Sequence, residues 1–203
     1  MIKCFMKLVF EKAASEEIFC PLYAKLLGQL SARYPILLTE MANLYSQYME
    51  IFEEVSEDAA ANYNEVCKRN VEKKYRRGYS QFLAELIKHD VIDIDVFMKT
   101  VTKIITQVEL NKKQKDSMKL NEEYADCLMK IMTAIEYEEE IDRSIDGGSD
   151  DETFDKIQQI RTMLKTDIME RIAPLTIRNA ENLGISNKTR FTFLGIYESI
   201  EKF

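Results

Sequence analysis

Apolar residues return every three or four positions along almost the whole chain, the spacing that lines up one face of an α-helix. Ile2, Phe5, Met6, Val9 and Ala13 make the first stripe. After a polar break at Ser15-Glu16-Glu17, a second runs through Phe19, Leu22, Tyr23, Leu26 and Leu30. Pro35 opens a third helix, whose first turn needs no proline N–H, over Leu37, Met41, Leu44, Tyr45, Tyr48 and Phe52. A loop near Glu54 to Ala61 precedes a long fourth helix carrying Val71, Tyr75, Tyr79, Phe82, Leu83 and Leu86. Asp93 or Asp95 can cap a fifth, with Phe97, Val101, Ile104, Ile105 and Val108 beneath. Asn121 starts a sixth, over Tyr124, Leu128, Ile131, Met132 and Ile135. After the linker Asp146-Gly147-Gly148-Ser149-Asp150, a seventh holds Ile157, Ile160, Leu164, Ile168 and Ile172 and stops before Pro174. Ser186 caps the last, with Phe193, Ile196, Tyr197 and Ile200. No segment alternates with a period of two, so the pattern predicts an all-α chain of about eight helices.

The starts of helices three, five and seven lie about 55 to 60 residues apart, near the ~40–47 residues of helical-pair repeats. That spacing favours a stack of antiparallel helix pairs over a closed bundle, as one domain across residues 1–203. Composition agrees: Gly 6 and Pro 3 in 203 residues are too few for the many tight turns of a β-sandwich. Hydrophobic residues at 46% supply a core, and a net charge of −7 rules out a globally basic nucleic-acid coat. No apolar run reaches membrane-spanning length, and the lysine-interrupted start lacks the form of a secretory signal. Cys4, Cys20, Cys67 and Cys127 have neither metal-ligand nor redox spacing, as in a reduced intracellular chain.

Three segments carry a family resemblance. The first is Leu8-Val9-Phe10-Glu11-Lys12-Ala13-Ala14-Ser15-Glu16, followed by Phe19 and Tyr23-Ala24, with Glu17 where the family usually has proline. The second is Gly78-Tyr79-Ser80-Gln81-Phe82-Leu83-Ala84-Glu85-Leu86, and the third is Arg190-Phe191 on the last helix. Together they resemble the middle domain of eukaryotic translation initiation factor 4G, a HEAT-type repeat scaffold. The resemblance implies a right-handed α-solenoid. Compared with the whole family domain, the chain is expected to begin at the second helix of the first pair and end after the first helix of the last. It also implies a cytoplasmic, non-catalytic translation-initiation scaffold that binds a DEAD-box helicase of the initiation factor 4A type and helps load mRNA. One helicase lobe would meet the corner of Phe10, Glu11, Lys12, Glu16, Glu17 and Phe19, and the other would meet the last helices at Arg190. Related adaptors in mRNA decay, splicing or poly(A)-linked regulation share the same repeat domain.

Chemistry for an enzyme is thin. His89 is the sole histidine, expected exposed at a helix end, no phosphate-binding glycine loop is present, and no catalytic residue, metal or cofactor is assigned. Lys68, Arg69, Lys73, Lys74, Arg76 and Arg77 against Glu72 give a local charge of +5, and one face of that helix could contact RNA phosphates. Lys112, Lys113, Lys115 and Lys119 form a second, loop-borne patch. Glu136 to Glu152 sums to −8 and could meet a basic partner or hold RNA away. Two further readings stay open: a helical ligand carrier or enzyme with a buried polar cavity, and a homo-oligomer joined through open terminal faces.

Overall fold

The computed structural model describes residues 2–50, 52, 63–136 and 150–203, with side chains described for most of them. All regular structure there is helical: α1 (Ile2–Ser15), α2 (Cys20–Arg33), α3 (Ile36–Glu50), α4 (Tyr63–Lys88), α5 (Ile94–Asn111), α6 (Met118–Glu136), α7 (Asp150–Met163), α8 (Met169–Thr176) and α9 (Asn187–Lys202). The predicted loop near 54–61, the linker residues 146–149 and most of the acidic stretch lie outside the described residues.

Helix ends follow local chemistry. Pro21 sits in the first turn of α2 and Pro35 just before α3, where a missing N–H costs nothing. Ser186 caps α9 by accepting from the Thr189 amide at 3.1 Å. Asn121, expected as a helix start, instead lies inside α6. It is fully buried and donates to the Gly184 carbonyl at 2.9 Å, tying α6 to the turn before α9. Pro174, expected to lie beyond the seventh helix, is inside α8. Only two residues follow it, so the hydrogen bond it forfeits is at a helix end.

Helices α7 and α8 are one run interrupted by a π turn at Leu164–Ile168. Ile160, Leu164, Ile168 and Ile172 recur every four residues, and all are buried. On a 3.6-residue helix each such step drifts by about 40°, so the row would leave the core within three steps. The wider π turn absorbs the drift and keeps all four against the interior.

Helix α4 is the hub. Phe10 of α1 packs edge-on against Phe82 with centroids 5.1 Å apart and lies 6.0 Å from Tyr79. Phe52 bridges Tyr79 and Tyr124 of α6, and the Tyr124 hydroxyl donates to the Phe52 carbonyl at 3.1 Å. At Gly78 a Cβ would stand 1.9 Å from the Ala14 carbonyl oxygen, so α1 and α4 meet backbone to backbone. On the far side Arg76 Nε donates to Glu123 at 2.5 Å, with both side chains under a tenth exposed.

Cross-helix bonds also fix direction. Gly28 abuts His89, and Gln81 donates to the Glu17 carbonyl. Arg77 pairs with Asp126 at 2.9 Å, Lys188 with Asp126 at 3.0 Å, and Ser199 with Glu136. Lower numbers meet lower numbers throughout, so α2, α4, α6 and α9 run parallel in one row. Tyr45 of α3 donates to the Val96 carbonyl of α5, and Arg171 of α8 pairs with Glu109 of α5, linking the helices behind that row.

Three stripes differ from expectation. On α1, Ile2 and Phe5 face solvent, while Met6, Val9, Phe10 and Ala13 are buried. On α2 the buried residues are Cys20, Ala24, Leu27 and Ser31, while Phe19, Leu22 and Leu26 face solvent. The small side chains allow α2 to approach α4 at Gly28, where leucines would not fit. On α4, Val71 is exposed and Arg76 buried, because the acidic Glu123 of α6 stands opposite.

Gly78→Ala improves intrinsic helix propensity by about 1 kcal/mol, yet the clash at Ala14 makes the protein less stable by roughly 1–3 kcal/mol net. Denaturant unfolding of the two chains checks the sign. Arg76→Ala strands Glu123 in the core and costs about 3–5 kcal/mol, whereas Arg76→Met with Glu123→Leu costs much less. A double-mutant cycle separates the two outcomes.

Candidate functional site

The predicted helicase corner forms where α1 turns into α2 through a single 3₁₀ turn at Glu17–Phe19. A turn this short leaves its apolar residues no room to fold back, and Ile18 and Phe19 are 87% and 51% exposed. Lys12 donates to Glu16 at 2.8 Å, and the Tyr23 hydroxyl donates to the other carboxylate oxygen at the same distance. Those two bonds, with Lys74 nearby, hold the Glu16 carboxyl below its usual pKa and keep it anionic. Glu17 pairs with Lys130 across the row at 2.8 Å, and Glu11 lies 3.8 Å from Lys7. The corner is therefore a small apolar knob with carboxylates set around it.

Phe10 does not belong to that surface. It is 1% exposed and part of the aromatic chain through α4, so it supports the corner from below. Ile18 is the residue missed from sequence. Its signal was a large aliphatic side chain next to the polar break, one position outside the helical stripe. Arg190 lies at the opposite end of the row, on α9, with its guanidinium carbon 4.9 Å from the centre of the Phe191 ring and its Nε without a hydrogen-bond partner.

The predicted RNA face is corrected in part. Arg76 is buried against Glu123 and Arg77 is paired with Asp126, so both hold α4 to α6 instead of facing a phosphate backbone. Lys74 is exposed and Lys73 half-buried, and the Lys68 and Arg69 side chains lie outside the described residues. In the second basic patch, Lys113 lies 3.7 Å from Glu181, both exposed.

Among the described residues, no three of His, Cys, Asp or Glu gather as a metal site, and no helix is long and apolar enough to cross a membrane. A shallow depression lined by Asp95, Met98, Lys99, Thr102 and Lys103 runs along the surface of α5. Cys20 and Cys127 are buried, and burial pushes the Cys127 thiol up to about 12, which leaves it protonated and unreactive. Cys4 is exposed.

His89 is half-buried under Gly28 and not the exposed helix-end residue expected. Burial first, then the charges of Lys88 and Lys25, lower its pKa below 6.5, with Asp90 opposing. The folded state thus resists protonation more than the unfolded one, and His89 contributes stability present above its unfolded pKa that is lost progressively as pH falls from there through its lower folded pKa. His89→Gln should show a smaller drop in Tm than the parent chain between about pH 7 and pH 5.

No protein-family model matches the chain, and neither a curated protein nor a solved structure matches it.

Proposed function

We propose that the protein is a non-catalytic scaffold of translation initiation that docks a DEAD-box RNA helicase of the initiation factor 4A type at the α1–α2 corner and helps load mRNA. The observation that carries this reading is the corner itself: Ile18 and Phe19 stand out from the surface beside Glu11, Glu16 and Glu17. An apolar knob inside a polar rim is the usual form of an interface hot spot. The parallel row α2, α4, α6 and α9, with α1, α3, α5 and α7–α8 behind it, supports an open HEAT-like stack of helix pairs with a partner-facing rim. Its ends are then held a fixed distance apart by packed helices.

Such a stack acts by differential binding. Touching both lobes of the helicase, it favours the half-open arrangement that fits its two contact points, and it shifts that equilibrium only by its preference for that state. The corner supplies one contact and α9, with Arg190, the other. RNA is held mainly by the helicase in this scheme, since Arg76 and Arg77 are engaged within the fold.

Purified chain should raise RNA-dependent ATP turnover by a helicase of this type while hydrolysing no ATP alone. Ile18→Asp should cut that stimulation about tenfold through loss of an exposed anchor and leave Tm unchanged, because the side chain is 87% exposed. Absence of both stimulation and binding would overturn the reading. Stimulation of a different DEAD-box protein alone would move the scaffold to another mRNA pathway.

A further inference from the structure

The edge of the array where α5 and α8 end and α6 and α9 begin carries aliphatic side chains and cations that the fold does not use. Lys156 of α7 pairs with Asp90 just before α5, and Arg171 of α8 pairs with Glu109 near the end of α5. The α7–α8 run therefore lies alongside α5 in the same direction, and both end at this edge. There the two loops that follow are fastened together. The Gly184 amide donates to the Lys112 carbonyl at 2.8 Å, and Asn121 of α6 donates to the Gly184 carbonyl at 2.9 Å. A Cβ at Gly184 would stand 2.5 Å from the carbonyl oxygens of Asn111 and Gln114, so the α8–α9 loop rests directly on the α5–α6 loop.

Three aliphatic side chains stand out around this junction. They are Leu110 at the end of α5, Ile177 at the end of α8 and Leu183 beside Gly184, at 65%, 67% and 54% exposure. In each case a residue two positions away is drawn to the interior: Val108, Leu175 and Ile185. The same loops hold Lys112, Lys113, Lys115 and Arg178, with Lys119 in the first turn of α6. Against Asp116 and Glu181 they leave a local charge of +3 on a chain whose net is −7. All of these side chains but Lys112 are exposed. The Lys113–Glu181 contact, 3.7 Å long and in solvent, holds neither group firmly. Other carboxylates nearby are engaged, Glu109 with Arg171 and Glu122 and Asp126 with Lys188.

Cations beside outward aliphatic side chains on joined loops fit one kind of partner. RNA would take the cations but leave the aliphatic side chains in water, and neither loop holds a ring on which bases could stack. A partner helix would need a groove, whereas these groups stand on helix ends and loops at an edge. A bilayer with anionic headgroups uses both, since headgroups meet lysines while aliphatic side chains enter the acyl boundary. We propose that this edge binds the surface of an anionic membrane, with Leu110, Ile177 and Leu183 inserted and the lysines among the headgroups. The contact is peripheral: among the described residues no helix is long and apolar enough to cross. Each cation at such a surface strengthens binding about fivefold.

Sedimentation with vesicles tests this. The purified chain should sediment with phosphatidylcholine vesicles containing about one third phosphatidylserine and stay in solution with phosphatidylcholine alone. Lys113→Glu with Lys115→Glu should weaken binding at least about tenfold. Leu110→Ser with Leu183→Ser should weaken it by a similar factor. All of these side chains are exposed, so Tm should hold. The chain contains no tryptophan, so Leu183→Trp adds a single reporter. Its emission should shift to the blue on phosphatidylserine vesicles and be quenched by brominated acyl chains, while Ile18→Trp should do neither. A chain that stays in solution with the anionic vesicles would overturn the proposal. So would loss of binding in the lysine variant with none in the leucine variant, the behaviour of charge alone, or insertion of the reporter at Ile18 in place of that at Leu183. Binding of a single-stranded uridine RNA without binding of vesicles would overturn it too and make the edge an RNA contact. The helicase reading rests on the α1–α2 corner, and no helicase is present in these measurements, so either can fail alone.

Discussion

The approach of α1 onto α4 at Gly78 sets the geometry on which the rest depends. With the Ala14 carbonyl where a Cβ would have to be, the two helices lie as close as backbones allow. Phe10 can then reach both Tyr79 and Phe82, and the aromatic chain passes on through Phe52 to Tyr124 of α6. The same closeness directs α1 into the short turn at Glu17–Phe19, which leaves Ile18 and Phe19 outside. A buried contact of two backbones thereby shapes an exposed corner.

On its other flank α4 is joined to α6 by charge. The Arg76–Glu123 pair is buried, and burying two ions costs more than their attraction returns unless geometry is close. Such a pair adds little net stability against well-packed apolar residues, but it penalises any register in which either ion is left alone. Arg77, Asp126 and Lys188 continue the link to α9 at the surface. Exposed pairs of this kind contribute modestly. Their consequence is alignment: α2, α4, α6 and α9 run parallel.

Much of the fold was legible in the chain. The stripes of α5, α6 and α9 pointed to buried residues, with Phe97, Ile104, Ile131 and Phe193 all fully enclosed. The cap at Ser186 was readable from residue type, since a hydroxyl before a helix has a free amide to accept from. The site was less legible. Phe10 and Phe19 look alike in sequence, yet one is core and the other surface. The basic run of α4 reads as one face, yet Arg76 turns inward because a carboxylate on another helix awaits it.

Sequence alone determined that this chain is helical and roughly where each helix starts and stops, because period, caps and proline act over a few residues. Only the tertiary structure decided which face of α2 is buried. That helix has two faces able to pack, one of Cys20, Ala24, Leu27, Gly28 and Ser31 and one of Phe19, Leu22 and Leu26, and a 3.6-residue period is satisfied by both. The choice belongs to the end of α4, where His89 just beyond the helix leaves room for glycine and for nothing larger. With that face taken inside, Phe19, Leu22 and Leu26 were left in solvent.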